Sequence, residues 1–112
     1  MQKKANKKTR IVFVTVPPGI AFDLLSKLVE ERLVAGGNII SGVQSVYRWK
    51  NEIRNDPESI LLMETSEECV EAMMARIKEL HPYEVPKILT FSPVEGPADY
   101  LRWVDDETKR HL

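Results

Sequence analysis

Between Asn38 and Thr65 the chain reads NIISGVQSVYRWKNEIRNDPESILLMET, two strand-like runs around a polar middle. The first arm, Asn38 to Lys50, carries Ile39, Ile40, Val43, Val46, Tyr47 and Trp49. β-Branched and aromatic residues of this kind suit a pleated surface. The second arm ends in Ile60-Leu61-Leu62-Met63, and Asn51, Asn55, Asp56 and Pro57 supply turn chemistry between the two. An arm of this length spans on the order of 40 Å at about 3.3 Å per residue, whereas a typical strand reaches only ~17–20 Å. Part of the hairpin must therefore project from the body that carries it. A projecting apolar ribbon invites pairing, and the simplest partner is a second copy of the chain.

The remaining elements follow from period and punctuation. Ile11 to Val16 is apolar on both faces, as expected for a strand covered on each side. Pro17-Pro18-Gly19 breaks it. A helix follows with Ala21, Leu24, Leu25, Leu28, Val29 and Leu33 on one stripe. Gly36-Gly37 is read as its stop. Thr65 to Glu68 has capping-box spacing and opens a helix with Val70, Met73, Met74, Ile77 and Leu80 on one side. Pro82 ends it by forcing His81 out of helical geometry. Val85 to Phe91 is a fourth strand, and Ala98 to about Lys109 a last helix with Tyr100, Leu101, Trp103 and Val104 as its apolar side. The order β-α-β-β-α-β plus a helix predicts an α+β fold of the ferredoxin-like split type. Its helices cover one face of an antiparallel sheet. The other face stays bare unless copies assemble.

Bulk properties restrict function. The 112 residues suit one domain, with 1–9 expected as a basic flexible tail and 10–112 as the folded unit. Residues 1–10 hold five basic side chains and no acid, so the rest carries a net charge of −6. An acidic body argues against nucleic acid as the main partner. No run approaches the ~20 apolar residues of a membrane helix, and no secretory signal is evident. A single cysteine, Cys69, excludes an intrachain disulfide and points to a reducing, cytoplasmic setting. No nucleophile–base pair, phosphate loop or zinc-finger spacing is present, so no enzymatic activity is expected.

NIISGVQSVYRW, HPYEVP and DYLRWV together resemble the CutA family, the divalent-cation tolerance proteins, over about Ile11 to Val104. The resemblance implies a ferredoxin-like subunit in a homotrimer with interlocking hairpins, and a non-enzymatic role in tolerance of copper and other divalent cations, through weak copper binding at intersubunit clefts or through scaffolding. No required cofactor is implied. Gly36 stands where many relatives have cysteine, which removes a soft ligand for Cu(I). Glu64 stands where a lysine is common.

His81 and Glu84 are the candidate metal ligands, since imidazole and carboxylate suit Cu(II) or Zn(II). The plainer role of the His81-Pro82-Tyr83 segment is to end a helix and pack a subunit contact. Tyr47, Trp49, Glu64, Tyr83 and Trp103 are the candidate cleft or interface residues, with packing anchors as the plainer role of the aromatics. Met63, Met73 and Met74 read as core filling. The alternative function is a trimeric nucleotide or small-molecule sensor of the nitrogen-regulatory signalling type, which rests on fold analogy alone.

Overall fold

In the computed structural model, residues 8–108 are described, and they form a four-stranded sheet and three helices. The strands are β1 (Thr9–Val16), β2 (Gly36–Trp49), β3 (Glu52–Ser66) and β4 (Ile88–Phe91). The helices are α1 (Ala21–Glu30), α2 (Val70–Leu80) and α3 (Ala98–Glu107). The sheet order is β2-β3-β1-β4, with every pairing antiparallel. This is the ferredoxin-like arrangement expected from the element order. The tail proposed for residues 1–9 lies mostly outside the described residues, and β1 already begins at Thr9.

Alternation in β1 decides where the core sits. Val12, Val14 and Val16 are fully buried, and they join Leu61 and Met63 of β3, Leu24 and Leu28 of α1, and Met73 and Ile77 of α2. The intervening residues face away from the helices. Ile11 and Phe13 pair with Glu64 and Leu62 of β3 and with Phe91 and Leu89 of β4. Ile40 pairs with Ile60 on the same side. The face turned away from α1 and α2, called the helix-free face because only α3 reaches it, at one end, thus holds the apolar side chains Ile11, Phe13, Ile40, Val43, Ile60, Leu62, Leu89 and Phe91. Among them Leu89, Phe91 and Ile40 are 57%, 51% and 43% exposed.

β2 and β3 run beyond the body as a two-stranded ribbon, giving the molecule extents of 48 × 28 × 22 Å. Between Ile40 and Val43 the register slips, so that Ser41 and Gly42 oppose Ser59 alone. Gly42 adopts φ +74°, the left-handed conformation that a bulge of this kind assigns to glycine. The extra residue changes the parity of β2. Ser45, Tyr47 and Trp49 therefore continue the helix-free face that Ile40 belongs to.

Four local expectations are corrected. The turn is not at Asn55-Asp56-Pro57, which are paired strand residues opposite Val46, Ser45 and Gln44. It is the two-residue Lys50-Asn51, with φ of 50° and 67°, matching the hairpin turn whose twist suits antiparallel strands. Gly36-Gly37 does not stop α1. Arg32 does, at φ 62°, with Leu33 N–H donating to the Leu28 carbonyl and Arg32 N–H to that of Val29, the two bonds of a Schellman cap. The Thr65–Glu68 capping box does not form, because Ser66 is still strand and Thr65 donates its hydroxyl to the Leu33 carbonyl at 2.7 Å. β4 starts at Ile88 rather than Val85.

Helix α3 covers the end of the sheet away from the ribbon. Leu101 and Val104 are buried, while Tyr100 and Trp103, expected on the same apolar side, are 44% and 43% exposed. Thr108, just past the helix, donates to Ser66 Oγ (2.9 Å), and its carbonyl accepts the Cys69 thiol (2.8 Å). Cys69 is therefore a fully enclosed thiol that pins α3 to the start of α2.

Candidate functional site

The helix-free face becomes concave where the ribbon leaves the body. Pro82 cannot continue α2, so residues 81–87 leave it through a series of bends, pass beside β1 and the root of β3, and lead into β4. His81 anchors this passage. Tyr83 N–H donates to its Nδ1 (3.1 Å), which assigns the ring proton to Nε2, and Nε2–H donates to the Thr15 carbonyl (2.9 Å). In that neutral tautomer the ring has one lone pair, and it is occupied. His81 itself is buried.

The segment places Tyr83 over β3, where its hydroxyl donates to Glu58 Oε2 at 2.8 Å. One strand across, Tyr47 donates to Asp56. Burial, followed by the bond to Glu58, pushes the Tyr83 phenol up from its ordinary pKa. The bond to Asp56 chiefly does the same for Tyr47. Both phenols therefore keep their protons at neutral pH and act as donors to carboxylates.

Two adjoining cavities result, sharing Tyr47, Tyr83 and Val85. The smaller, about 380 Å³, is lined also by Thr15, Ser45, Glu58 and Lys87. The larger, about 510 Å³, lies toward the ribbon tip against Trp49, Asp56, Pro57 and Glu84. Glu84 is exposed, with Lys50 Nζ 3.9 Å from its carboxylate.

Three of the five residues expected at a cleft, Tyr47, Trp49 and Tyr83, are thus brought together with Glu84, one of the two expected metal ligands. His81 stands behind the wall. Glu64 and Trp103 lie at the far end of the sheet. There Tyr100 donates to Glu64 (3.2 Å), Tyr100 and Trp103 rings are 5.5 Å apart, and Gly36 faces Trp103. Burial raises the Glu64 carboxyl pKa, and the Tyr100 bond partly offsets that. Glu58 and Asp56 were not anticipated. Their signal was the period-two continuation from Leu62 through Ile60, hidden by the turn-like composition of Asn55-Asp56-Pro57.

Among the described residues no group of three or more His, Cys, Asp or Glu side chains is positioned to hold a metal ion. No helix among them is long and apolar enough to cross a membrane.

Comparison with known proteins agrees with this architecture. A family model described as "CutA1 divalent ion tolerance protein" matches residues 10–107. The divalent-cation tolerance protein CutA of Thermus thermophilus is 40% identical over 99 residues, covering 88% of this chain and 96% of that protein. The crystal structure of CutA1 from Oryza sativa superimposes with a TM-score of 0.89 at 30% identity, covering 96% of this chain and 99% of that one. A PII-like protein CutA from Nostoc in apo form gives a TM-score of 0.84 at 33% identity, covering 89% and 97%. The chain spans little more than half the length of the curated rice, Arabidopsis, mouse and human relatives, 55–56%. With the family model matching nearly all of the described residues, the chain belongs to the CutA1 divalent ion tolerance family.

Proposed function

We propose that this chain works as a non-enzymatic homotrimer in the cellular response to divalent metal ions, copper foremost, through weak cation binding at clefts between subunits or through scaffolding of another protein. One observation supports the assembly above all: on the sheet face turned away from α1 and α2, which among the described residues only α3 reaches, at its Gly36–Glu64 end, Leu89, Phe91 and Ile40 are 57%, 51% and 43% exposed. Burying apolar area stabilises by about 25 cal/mol per Å², so this face favours self-association. The ribbon, with Tyr47 and Trp49 on the same side, extends that surface. The cytoplasm is the proposed setting, in keeping with an unpaired, enclosed Cys69.

One chain does not by itself provide a ligand set for a resident metal. Glu84 is accessible, but the His81 lone pair is committed to Tyr83 N–H. A divalent ion at the cleft would therefore draw on Glu84 together with groups from another copy, and His81 would join only by releasing Tyr83. That accounts for weak rather than structural binding. A nucleotide reading has less support. The smaller cavity holds one lysine and one buried carboxylate, a poor match for a triphosphate.

Sedimentation velocity and calorimetry test the proposal. The expected results are a three-chain mass and a Cu(II) or Zn(II) heat that falls in Glu84→Gln. Trimer without metal heat selects scaffolding. An ATP isotherm selects the nucleotide sensor. A folded single chain at working concentrations overturns the assembly.

A further inference from the structure

At its root the ribbon is held by few bonds. Beyond Ser59, β3 has left β1 and keeps only β2 as a paired strand. The bulge at Ser41-Gly42 interrupts that pairing at the same level. A bulge bends and twists the strand that carries it, and a two-stranded ribbon is marginally stable by itself. The angle at which the ribbon leaves the body is therefore left to side chains.

Among the described residues, two polar side-chain contacts join the ribbon beyond the bulge to the rest of the chain. Lys50 Nζ lies 3.9 Å from the Glu84 carboxylate, an exposed pair that contributes little. The other is the Tyr83 hydroxyl on Glu58 Oε2, at 2.8 Å, on the first β3 residue past the bulge. Glu58 is 3% exposed, so this bond is shielded from water. Tyr47 and Asp56 bond to each other within the ribbon and do not tie it down. Lys87 lines the same cavity as Glu58, with its Nζ 5.3 Å over the Phe13 ring. A hydrogen bond to a charged acceptor is stronger than a neutral one, and a buried carboxylate stripped of its donor is driven toward water.

Tyr83 is itself fixed. Its N–H donates to His81 Nδ1 at 3.1 Å, the two rings are 4.7 Å apart, and His81 Nε2–H donates to the Thr15 carbonyl at 2.9 Å. The bonds run from β1, an inner strand of the sheet, through His81 and Tyr83 to the root of the ribbon. We propose that the Tyr83–Glu58 bond is a latch that sets the angle of the ribbon and holds it ready for a second copy of the chain. The latch is a property of one chain, whereas its use in docking rests on the proposed assembly. Val43 to Trp49, at about 3.3 Å per residue, form an arm of about 23 Å, so a swing of roughly 10° at the bulge carries the tip about 4 Å. Such a swing displaces Tyr47 and Trp49 from a neighbour.

Pulsed electron spin resonance measures the angle. Labels are placed by Ser26→Cys on α1 and Glu52→Cys near the ribbon tip, both exposed positions, while Cys69, 1% exposed, takes none. The Leu62→Asp background, with labelled chains diluted in unlabelled ones, reads the ribbon without a neighbour. Tyr83→Phe keeps the ring and removes the donor, and should broaden the distance distribution by about 4 Å or more. Glu58→Leu should broaden it too, whereas Glu58→Gln still accepts from Tyr83 and should keep it narrow. With Leu62 restored, Tyr83→Phe should raise the concentration at which copies separate in sedimentation at least ~10-fold, and Glu58→Gln by less. An unchanged distribution in Tyr83→Phe, or equal broadening in Glu58→Gln, overturns the latch. Broadening without weaker association overturns its role in docking. A natural chain that sediments as a single chain overturns the assembly and leaves the distances to judge the latch.

Discussion

Leu61 and Leu62 are adjacent in β3, alike in chemistry, and opposite in fate. Leu61 is fully enclosed between β1 and helices α1 and α2, while Leu62 faces the side away from those two helices. The same division runs through the whole sheet. One face is a finished interior of valine, leucine and methionine. The other has the composition of an interior and the exposure of a surface. Completion therefore depends on topology rather than on hydrophobicity: a βαββαβ chain places both crossover helices on one side. The bare side is left to another molecule.

The largest expected effect separates the faces directly. Leu61→Ala deletes buried volume and should cost about 2–5 kcal/mol, equally at low and high protein concentration in urea denaturation. Leu62→Asp should leave the fold of each chain intact and reduce the sedimenting mass. If Leu62→Asp changes neither mass nor stability, the helix-free face is no interface and the contrast is only one of composition.

His81 tests the wall between the two regions. His81→Ala leaves the Thr15 carbonyl and the Tyr83 N–H without partners, and an unsatisfied buried group costs about 1–3 kcal/mol. A stability loss in metal-free buffer marks His81 as an anchor of the 81–87 passage. Unchanged metal-free stability would return it to the role of a free ligand.

The glycine pair at the start of β2 sharpens the contrast further. A Cβ on Gly37 would point at the interior, 2.7 Å from Met63 Cγ and 2.8 Å from the Leu62 carbonyl oxygen. A Cβ on Gly36 would point the other way and meet only Trp103, at 3.6 Å. Gly37→Ala should lose roughly 1–3 kcal/mol by overpacking, and Gly36→Ala no more than about 0.5 kcal/mol. Equal costs would show that close packing does not distinguish the faces.

These pairs also show what could be read in advance. Alternation in Ile11 to Val16 and the stripes of α1 and α2 identified the core, because burial imposes a period on the residues it selects. The need for a cover over the second face followed from the same count. The cleft was half legible. Tyr47 and Trp49 stood out as aromatics two apart on one strand face, and Tyr83 and Glu84 as neighbours of Pro82. Asp56 and Glu58 did not, because Asn55-Asp56-Pro57 has the composition of a turn. That composition is tolerated in β3 because β1 ends opposite Ser59, so from Pro57 outward the strand has a neighbour on one side only. The bulge at Gly42, which sets which way Tyr47 faces, is a matter of backbone register and leaves no periodic trace in the side chains.

Glu64 gives the smallest effect and the only one that depends on pH. It sits on the helix-free face opposite Ile11 and Gly36, half-buried, with its pKa raised mainly by burial. A carboxyl raised on folding favours the folded state when protonated. Its contribution is fully present below the unfolded value of about 4.3 and is lost as pH rises through the folded value. At pH 7 the ionised carboxylate is therefore a mild burden, and Glu64→Gln should remove it while keeping an acceptor for Tyr100. After allowance for solvent screening, the gain is a few tenths of a kcal/mol, or roughly 2 °C in Tm. The gain should shrink toward zero near pH 4, where both side chains are neutral. If a second copy covers this face, desolvation deepens and the gain at pH 7 becomes larger in the assembled protein than in the Leu62→Asp background. Thermal melts of the single and double variants at the two pH values measure that difference, and an identical gain in both backgrounds would mean that Glu64 remains at the surface after assembly.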